Sequence, residues 1–430
     1  MLERWFHLEE LGTRPSTEVR AGVVTFLTMS YVLFVNPQIL GQAGMPAQDV
    51  AAATAIAAAI ATLVMGLWAN YPFALAPGMG LNAYFTFGVV AAMGVTWQVA
   101  LAAVFVEGVL FLLLTVTGAR SALVAAIPVP IKLATMGGIG LFLAMIGFQN
   151  AGVITASPET LVTLGDLGDP LALLALAGLA IAAALVASGV RGALLLAILG
   201  VTVVCWAAGL TEAPAAFLSL PRLPVDTLLA LDLSGLATGS LIPVVLAFLF
   251  VDLFDTAGTL LGVGRLAGFV DADGQLDRAD RAFAADAIGT SAGALLGTST
   301  VTSYVESATG VEEGGRSGLT AVVVAACFLL SLFVVPVLAA VPAAATAPAL
   351  VLVGALMMRG IREIDWSRVG DAVPAFLTIA LMPMTYSIAN GITFGMMAWV
   401  AIKALRGRWR EVPRLLWPLV VLLGGFYALR

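Results

Sequence analysis

The chain reads as a succession of long apolar runs separated by short polar punctuation. Runs at residues 21–40, 50–69, 72–91, 95–118, 128–149, 170–189 and 191–210 fill its first half, and runs at 239–264, 281–297, 298–312, 318–341, 344–358, 371–386 and 388–404 fill its second. About 20 apolar helical residues cross a bilayer, so each run predicts a crossing. Two are flawed as helices. The stretch 297-GTSTVTSYVESATG-310 is built from small and β-branched residues and contains Glu306, and 75-LAPGMGLNAYFTFG-88 repeats its glycine-rich approach, polar residue and aromatic. Irregular backbone leaves N–H and C=O groups that lipid cannot satisfy, so it is tolerated only where protein, water or a polar ligand lines it. One broken segment at the corresponding place in each half is the pattern of a secondary transporter's binding site.

Seven crossings per half place the second half upside down relative to the first. With the N-terminus inside, inner segments hold Arg4, Arg14, Arg20, Arg120, Arg191, Arg265, Arg278, Arg281, Arg316, Arg359, Arg362, Arg368 and the basic cluster from Lys403 to Arg414, while Arg222 alone falls outside. Outer loops carry Asp49, Glu159, Asp166, Asp169, Glu212, Asp226 and Asp232 instead, as the positive-inside rule requires. The expected organisation is a cytoplasmic arm (1–20), a first seven-helix repeat (21–210), a Pro- and Leu-rich interfacial linker (211–238), a second, inverted repeat (239–404), and a basic loop with an interfacial tail (405–430). Both termini are then cytoplasmic, in a multi-pass protein of the cell membrane.

Composition excludes an ordinary soluble domain. The chain is 61% hydrophobic and 11% charged, with a mean hydropathy of +1.04, against about 45–50% and about 25% for soluble domains. Residues 1–20 lack the short apolar run of a signal peptide, so the first helix is retained. Cys205 and Cys327 fall in apolar runs and read as small buried hydrophobes without a disulfide.

Few ionisable residues interrupt the runs: Glu107, Lys132, Asp252, Asp255, Asp286 and Glu306. Each is a functional candidate, because charge at membrane depth is expensive. Lys132 lies near a helix end and can snorkel. Glu107 suits a helix contact as well as it suits chemistry. Asp252 and Asp255 share roughly one helical face, with Asp255 the expected cavity residue and its partner a structural anchor. Asp286 precedes a small-residue run and is expected to hold the nearby broken segment. Glu306 would stand in the first turn of a half-helix, with Asn82 at the corresponding place in the first half. Tyr84 and Tyr304 could offer flat faces, so the set suits a small planar heterocycle better than a bare ion. His7 is the only histidine, and it lies in the arm, so any proton coupling must run through carboxylates.

Two lookalikes carry nothing. The pattern 289-GTSAG-293 matches a nucleophile elbow but has no strand before it and no histidine to serve it. The loop 271-DADGQLDRAD-280 lacks the acidic twelfth position of a calcium loop, where Ala282 stands. There is no P-loop, H-E-x-x-H or Cys/His cluster, so no metal, cofactor, enzymatic activity or nucleic-acid partner is expected.

At 77-PGMGLNAYF-85, 252-DLFDTAGTL-260 and 297-GTSTVTSYVESATGVEEGGRSGLTA-321 the sequence resembles the azaguanine-like purine permeases, the adenine/guanine/hypoxanthine branch of the nucleobase-cation symporters that also contain the uracil and xanthine permeases. The likeness extends over 21-AGVVTFLTMSYVLFVNP-37, 137-GGIGLFLAMIGFQNAG-152 and 374-PAFLTIALMPMTYSIANGITFG-395. It implies an all-α membrane protein of fourteen segments in two inverted seven-helix repeats. The third and tenth helices would be broken by short strands, with a core domain from 21–118 and 239–341 and a gate domain from 128–210 and 344–404. It also implies proton symport of a purine base by an elevator motion, often in a homodimer. Carried over by position, Asp255 and Glu306 match the acidic substrate-binding residues, Asn82 the polar residue of the third helix, and Tyr304 an aromatic beside the base. Ser303 and Tyr84 complete the candidate substrate site, and Glu306, Asp255 and Asp286 the candidate proton carriers. Asp255 stands where many relatives have Glu, as in the purine branch. The alternative is an anion transporter or channel of the same fold.

Overall fold

The computed structural model describes residues 2–238, 241–271 and 275–428. In chain order its main helices and strands are α1 (Pro15–Gly41), α2 (Ala47–Ala69), β1 (Leu75–Pro77), α3 (Met79–Ala91), α4 (Trp97–Val116), α5 (Val129–Asn150), β2 (Ile154–Ser157), β3 (Leu161–Leu164), α6 (Pro170–Ala187) and α7 (Ala193–Ala207). There follow α8 (Ile242–Ala267), α9 (Ala279–Leu296), β4 (Val301–Ser303), α10 (Ser307–Glu312), α11 (Gly318–Ala340), α12 (Ala343–Glu363), α13 (Val369–Met384), α14 (Ile388–Leu405) and α15 (Leu416–Ala428). Among the described residues, nine helices are long and apolar enough to cross a membrane: α1, α2, α4, α5, α6, α8, α11, α12 and α14. α9 carries Asp280, Arg281 and Asp286, and the half-helices α3 and α10 follow strands. The expected runs 72–91 and 298–312 therefore each divide into a strand and a half-helix.

The packing is reciprocal between the halves. α9 lies against α2 and α4, as α2 lies against α9 and α11; α5 and α12 pack on each other, α13 packs on α5 as α6 packs on α12, and α7 meets α12 as α14 meets α5. Small residues permit the closest of these approaches. A Cβ on Gly108 of α4 would sit 2.6 Å from Ser291 Oγ of α9, and one on Gly66 of α2 would sit 2.6 Å from the Gly318 carbonyl oxygen of α11. Each of these glycines lets a neighbouring backbone take the space a side chain would fill.

Ion pairs join segments that share one end of the bundle. Arg120 meets Asp280 at 2.9 Å, Glu313 holds both Arg20 (3.1 Å) and Arg191, and at the far end of α2 Arg222 reaches Asp49 at 3.1 Å. The loop 150–169 contains the β2–β3 hairpin. The linker after α7 is largely irregular and is tied down by Ser219 N to Phe333 O at 2.9 Å, Leu229 N to Leu295 O at 2.7 Å and Asp232 N to Gln98 O at 2.9 Å.

The expected cytoplasmic arm is shorter than 1–20, because α1 begins at Pro15 and buries Glu18 completely. Pro15 suits the first turn, where its missing N–H has no partner to lose. The Glu18 carboxylate accepts from Arg316 N (2.9 Å), Ser317 N (3.2 Å), Ser317 Oγ (2.8 Å), Thr320 N (3.3 Å) and Thr320 Oγ1 (2.6 Å), and so caps the start of α11. Residues before α1 also pack, with Phe6 and Leu8 set against Leu319. Glu18→Ala leaves those donors without an acceptor and is expected to destabilise the fold by about 3 kcal/mol. Thermal unfolding of the purified protein in detergent measures this, with Glu18→Gln losing less.

Candidate functional site

The two broken segments meet. β1 and β4 pair antiparallel, with Leu75 opposite Ser303, Ala76 opposite Thr302 and Pro77 opposite Val301. Gly78 N donates to Thr300 O at 3.0 Å and Tyr304 N to Ala74 O at 2.9 Å, which extends the ladder at both ends. A two-stranded ribbon this short is not stable alone, and a threonine from the preceding helix clamps each strand. Thr62 of α2 donates to Leu75 O at 3.0 Å and accepts from Leu75 N at 2.9 Å. Thr290 of α9 treats Val301 the same way, at 2.8 and 3.1 Å. Gly78 is required here, since a Cβ would lie 2.7 Å from Thr302 Cγ2.

Around this crossing stand the acidic candidates. Glu306 is the residue preceding α10, is half-buried, and accepts the Tyr31 hydroxyl at 2.8 Å. Asp255 of α8 is half-buried beside Thr302 and close enough to Glu306 for the two carboxylates to interact. Asp252, three residues earlier, is wholly buried and faces away, toward Glu107 and Asp286. Asp286 accepts Thr256 Oγ1 at 2.8 Å and Ser303 Oγ at 3.4 Å, and Ser303 is itself almost fully buried.

The remaining candidates divide. Tyr304 donates its hydroxyl to Pro77 O at 2.6 Å, and its ring centroid lies 6.5 Å from that of Tyr31. Asn82 is completely buried; its Oδ1 accepts Ser299 Oγ across the two segments, while Nδ2 has no partner among the described residues. Tyr84 turns its ring onto Phe248, 5.0 Å between centroids, inside the apolar core, where it serves packing. His7 lines an open cavity of about 540 Å³ with Glu10, Asn70, Phe269 and Arg278, to which neither Asp255 nor Glu306 contributes. Among the described residues no group of three or more His, Cys, Asp or Glu is arranged to hold a metal ion.

The sequence reading missed Tyr31, Thr62, Thr290 and Thr302, and it took Thr256 for a residue that admits a neighbouring backbone, where it donates to Asp286. Tyr31 and Glu306 lie 275 residues apart in the chain, and a single hydroxyl in an apolar run carries no local mark of its role.

Paired broken helices, buried carboxyls at their crossing and a reciprocal helix packing define a multi-pass membrane transporter. Residues 16–394 match the family model described as the Permease family, the xanthine/uracil permease group, and the chain belongs to that family. It is similar to the adenine permease AdeP of Escherichia coli (strain K12), 43% identical over 100% of this chain and 96% of that one. It is also similar to the guanine/hypoxanthine permease PbuO of Bacillus subtilis (strain 168), 42% identical over 99% of each chain. Among solved structures, the transmembrane domain of the cyanobacterium bicarbonate transporter BicA shares the inverted-repeat fold, with a TM-score of 0.66 at 16% identity over 88% of this chain and 96% of that one.

The strand register is directly testable. With Cys205 and Cys327 replaced, Ala76→Cys together with Thr302→Cys should form an oxidative crosslink visible by mass spectrometry, because directly opposed residues of an antiparallel pair have Cα atoms about 4.5–5.5 Å apart. Crosslinking of Ala76→Cys to a neighbour of residue 302 in preference to 302 itself would mean a different register.

Proposed function

We propose that the protein carries a neutral purine nucleobase, adenine, guanine or hypoxanthine, across the cell membrane together with a proton. The observation that carries this reading is the placement of Asp255 and Glu306 together at the β1–β4 crossing, half-buried where the other membrane carboxyls, Glu107, Asp252 and Asp286, are fully buried. A planar base presents N–H donors in its ring and on exocyclic groups, and two carboxyls set a short distance apart accept them as a pair. Tyr31 fixes the Glu306 carboxyl, Tyr304 offers a ring face, Ser303 and the free Asn82 amide N–H groups complete the polar lining, and Tyr84 supports α3 from behind. The names of the relatives, adenine permease and guanine/hypoxanthine permease, point to the same ligand class.

Proton coupling in this reading runs through Glu306, Asp255 and Asp286, with entry from the outer side and both termini in the cytoplasm. α1 to α4 with α8 to α11 form the core that carries the site, and α5 to α7 with α12 to α14 form the gate. Contacts between the groups are confined to a few lines, such as α1 with α12 and α8 with α14, which suits an elevator motion of one against the other. The anion reading has the BicA fold in its favour. Against it stand two carboxyls at the site, neither of which forms an ion pair with Lys or Arg among the described residues.

Uptake of radiolabelled adenine, guanine and hypoxanthine by a purine-uptake-deficient strain tests the proposal. Glu306→Ala and Asp255→Ala are each expected to cost at least about tenfold in apparent affinity, the weight of a charged hydrogen bond of about 1.5–3 kcal/mol. Transport at the parent rate by both variants would remove these residues from the site, and accumulation that persists after the proton gradient is collapsed would remove the symport. Tyr31→Phe, which takes away only the donor to Glu306, should reduce uptake about tenfold without changing expression.

A further inference from the structure

Beside the proposed substrate site lies a second acidic group, more deeply buried. Glu107 of α4, Asp252 of α8 and Asp286 of α9 are each 0% exposed. Among the described residues, neither carboxyl oxygen of Glu107 or of Asp252 receives a hydrogen bond from an amide, a hydroxyl or a basic side chain, and Asp286 Oδ2 is equally unpartnered. What faces them is one another. Glu107 looks onto Asp252, Asp286 and the Thr300 hydroxyl, which has no partner of its own, while Asp252 looks onto Glu107 and Asp286 with Asp255 one turn along α8.

No Lys, Arg or His among the described residues acts on any of the three carboxyls. Of the basic groups on the elements packed around them, Arg265 in the last turn of α8 is exposed, and two others are engaged elsewhere. Arg120, beyond α4, pairs with Asp280 at 2.9 Å and stacks on Phe283, and Arg281 of α9 reaches Trp68 O at 3.5 Å. Three adjacent carboxylates in a low-dielectric interior repel strongly, and burying such charge unpaired is prohibitive. Either protons lie between the facing oxygens or a cation does, and the arrangement does not offer a metal ion a ligand set.

A hydroxyl chain leads from this group to the substrate site. Asp286 Oδ1 accepts from Thr256 Oγ1 at 2.8 Å, Thr256 Oγ1 and Thr302 Oγ1 share a hydrogen bond of 2.8 Å, and Thr302 stands beside Asp255. Each hydroxyl in such a chain takes one proton as it gives one. With Thr256 donating to Asp286, a proton leaving Asp255 can therefore appear on Asp286 without any ion crossing apolar space, and rotation of the hydroxyls opens the reverse path.

We propose that Glu107, Asp252 and Asp286 form a proton-binding site separate from the base, holding shared protons and exchanging them with Asp255 through Thr256 and Thr302. The link to transport rests on the proposed purine–proton symport; the proton site itself does not.

The test uses the full chain in lipid nanodiscs. Without base, at neutral pH, infrared spectra should contain a protonated-carboxyl C=O band that shifts in deuterium oxide and is reduced in Glu107→Gln. In vesicles, Glu107→Gln should lower proton-driven accumulation about tenfold more than it lowers base-for-base exchange, the size of a typical coupling between sites. Asp252→Asn provides the same readings if Glu107→Gln does not yield monodisperse protein. Absence of the band at neutral pH, or a band unchanged in both variants, overturns the proposal. Loss of the band when sodium chloride replaces choline chloride also overturns it, by assigning the group to a sodium ion. A parent protein with the band but no purine binding at any pH keeps the proton site and discards the proposed substrate.

Discussion

The structure depends on one constraint: inside a membrane every backbone N–H and C=O needs a partner within the protein or its ligand. β1 and β4 interrupt two helices where lipid offers none, and they satisfy each other instead, with Leu75 to Pro77 set against Val301 to Ser303. The threonine clamps at Thr62 and Thr290 complete that satisfaction from the helix preceding each strand. The same device appears once in each half. With the reciprocal packing of α2, α4, α9 and α11, it makes the crossing of the strands the centre of an internal two-fold relation.

Polar groups then collect where the backbone is irregular, and their differing burial separates two roles. Asp255 and Glu306 stay half-buried at the crossing, whereas Asp252, Asp286 and Glu107 are fully buried. Two aspartates three residues apart on α8 thus look into different environments. The helical period alone places them near one face; the neighbours on α9 and β4 decide which of them is sealed in and which stays half-buried.

Much of this was legible in the chain, and the pattern of what was not is physical. A carboxylate in an apolar run stands out because its burial is costly, so Asp255, Asp286 and Glu306 were visible as candidates, and the glycine-rich approaches marked both breaks. Asn82 was visible too, but not its bond to Ser299 across the two segments. Threonines and tyrosines sit in membrane helices at little cost, so nothing local distinguished Tyr31 or Thr62 from their neighbours. Tyr84 was expected beside the ligand from its closeness to Asn82, yet α3 turns that ring onto Phe248. The start of α1 at Pro15 was hidden for a related reason. Glu18 reads as a solvent residue until α11 supplies the amide and hydroxyl donors that hold it.

The strand pair also has a consequence for biosynthesis. Tyr304 and Pro77, joined through the Tyr304 hydroxyl, are 227 residues apart in the chain, so the ribosome releases β1 long before its partner exists. Until the second half has been inserted, the amides of β1 depend on water, on the Thr62 clamp or on the insertion machinery. Neither half can therefore acquire a finished interior alone, and maturation requires the meeting of two segments made at different times.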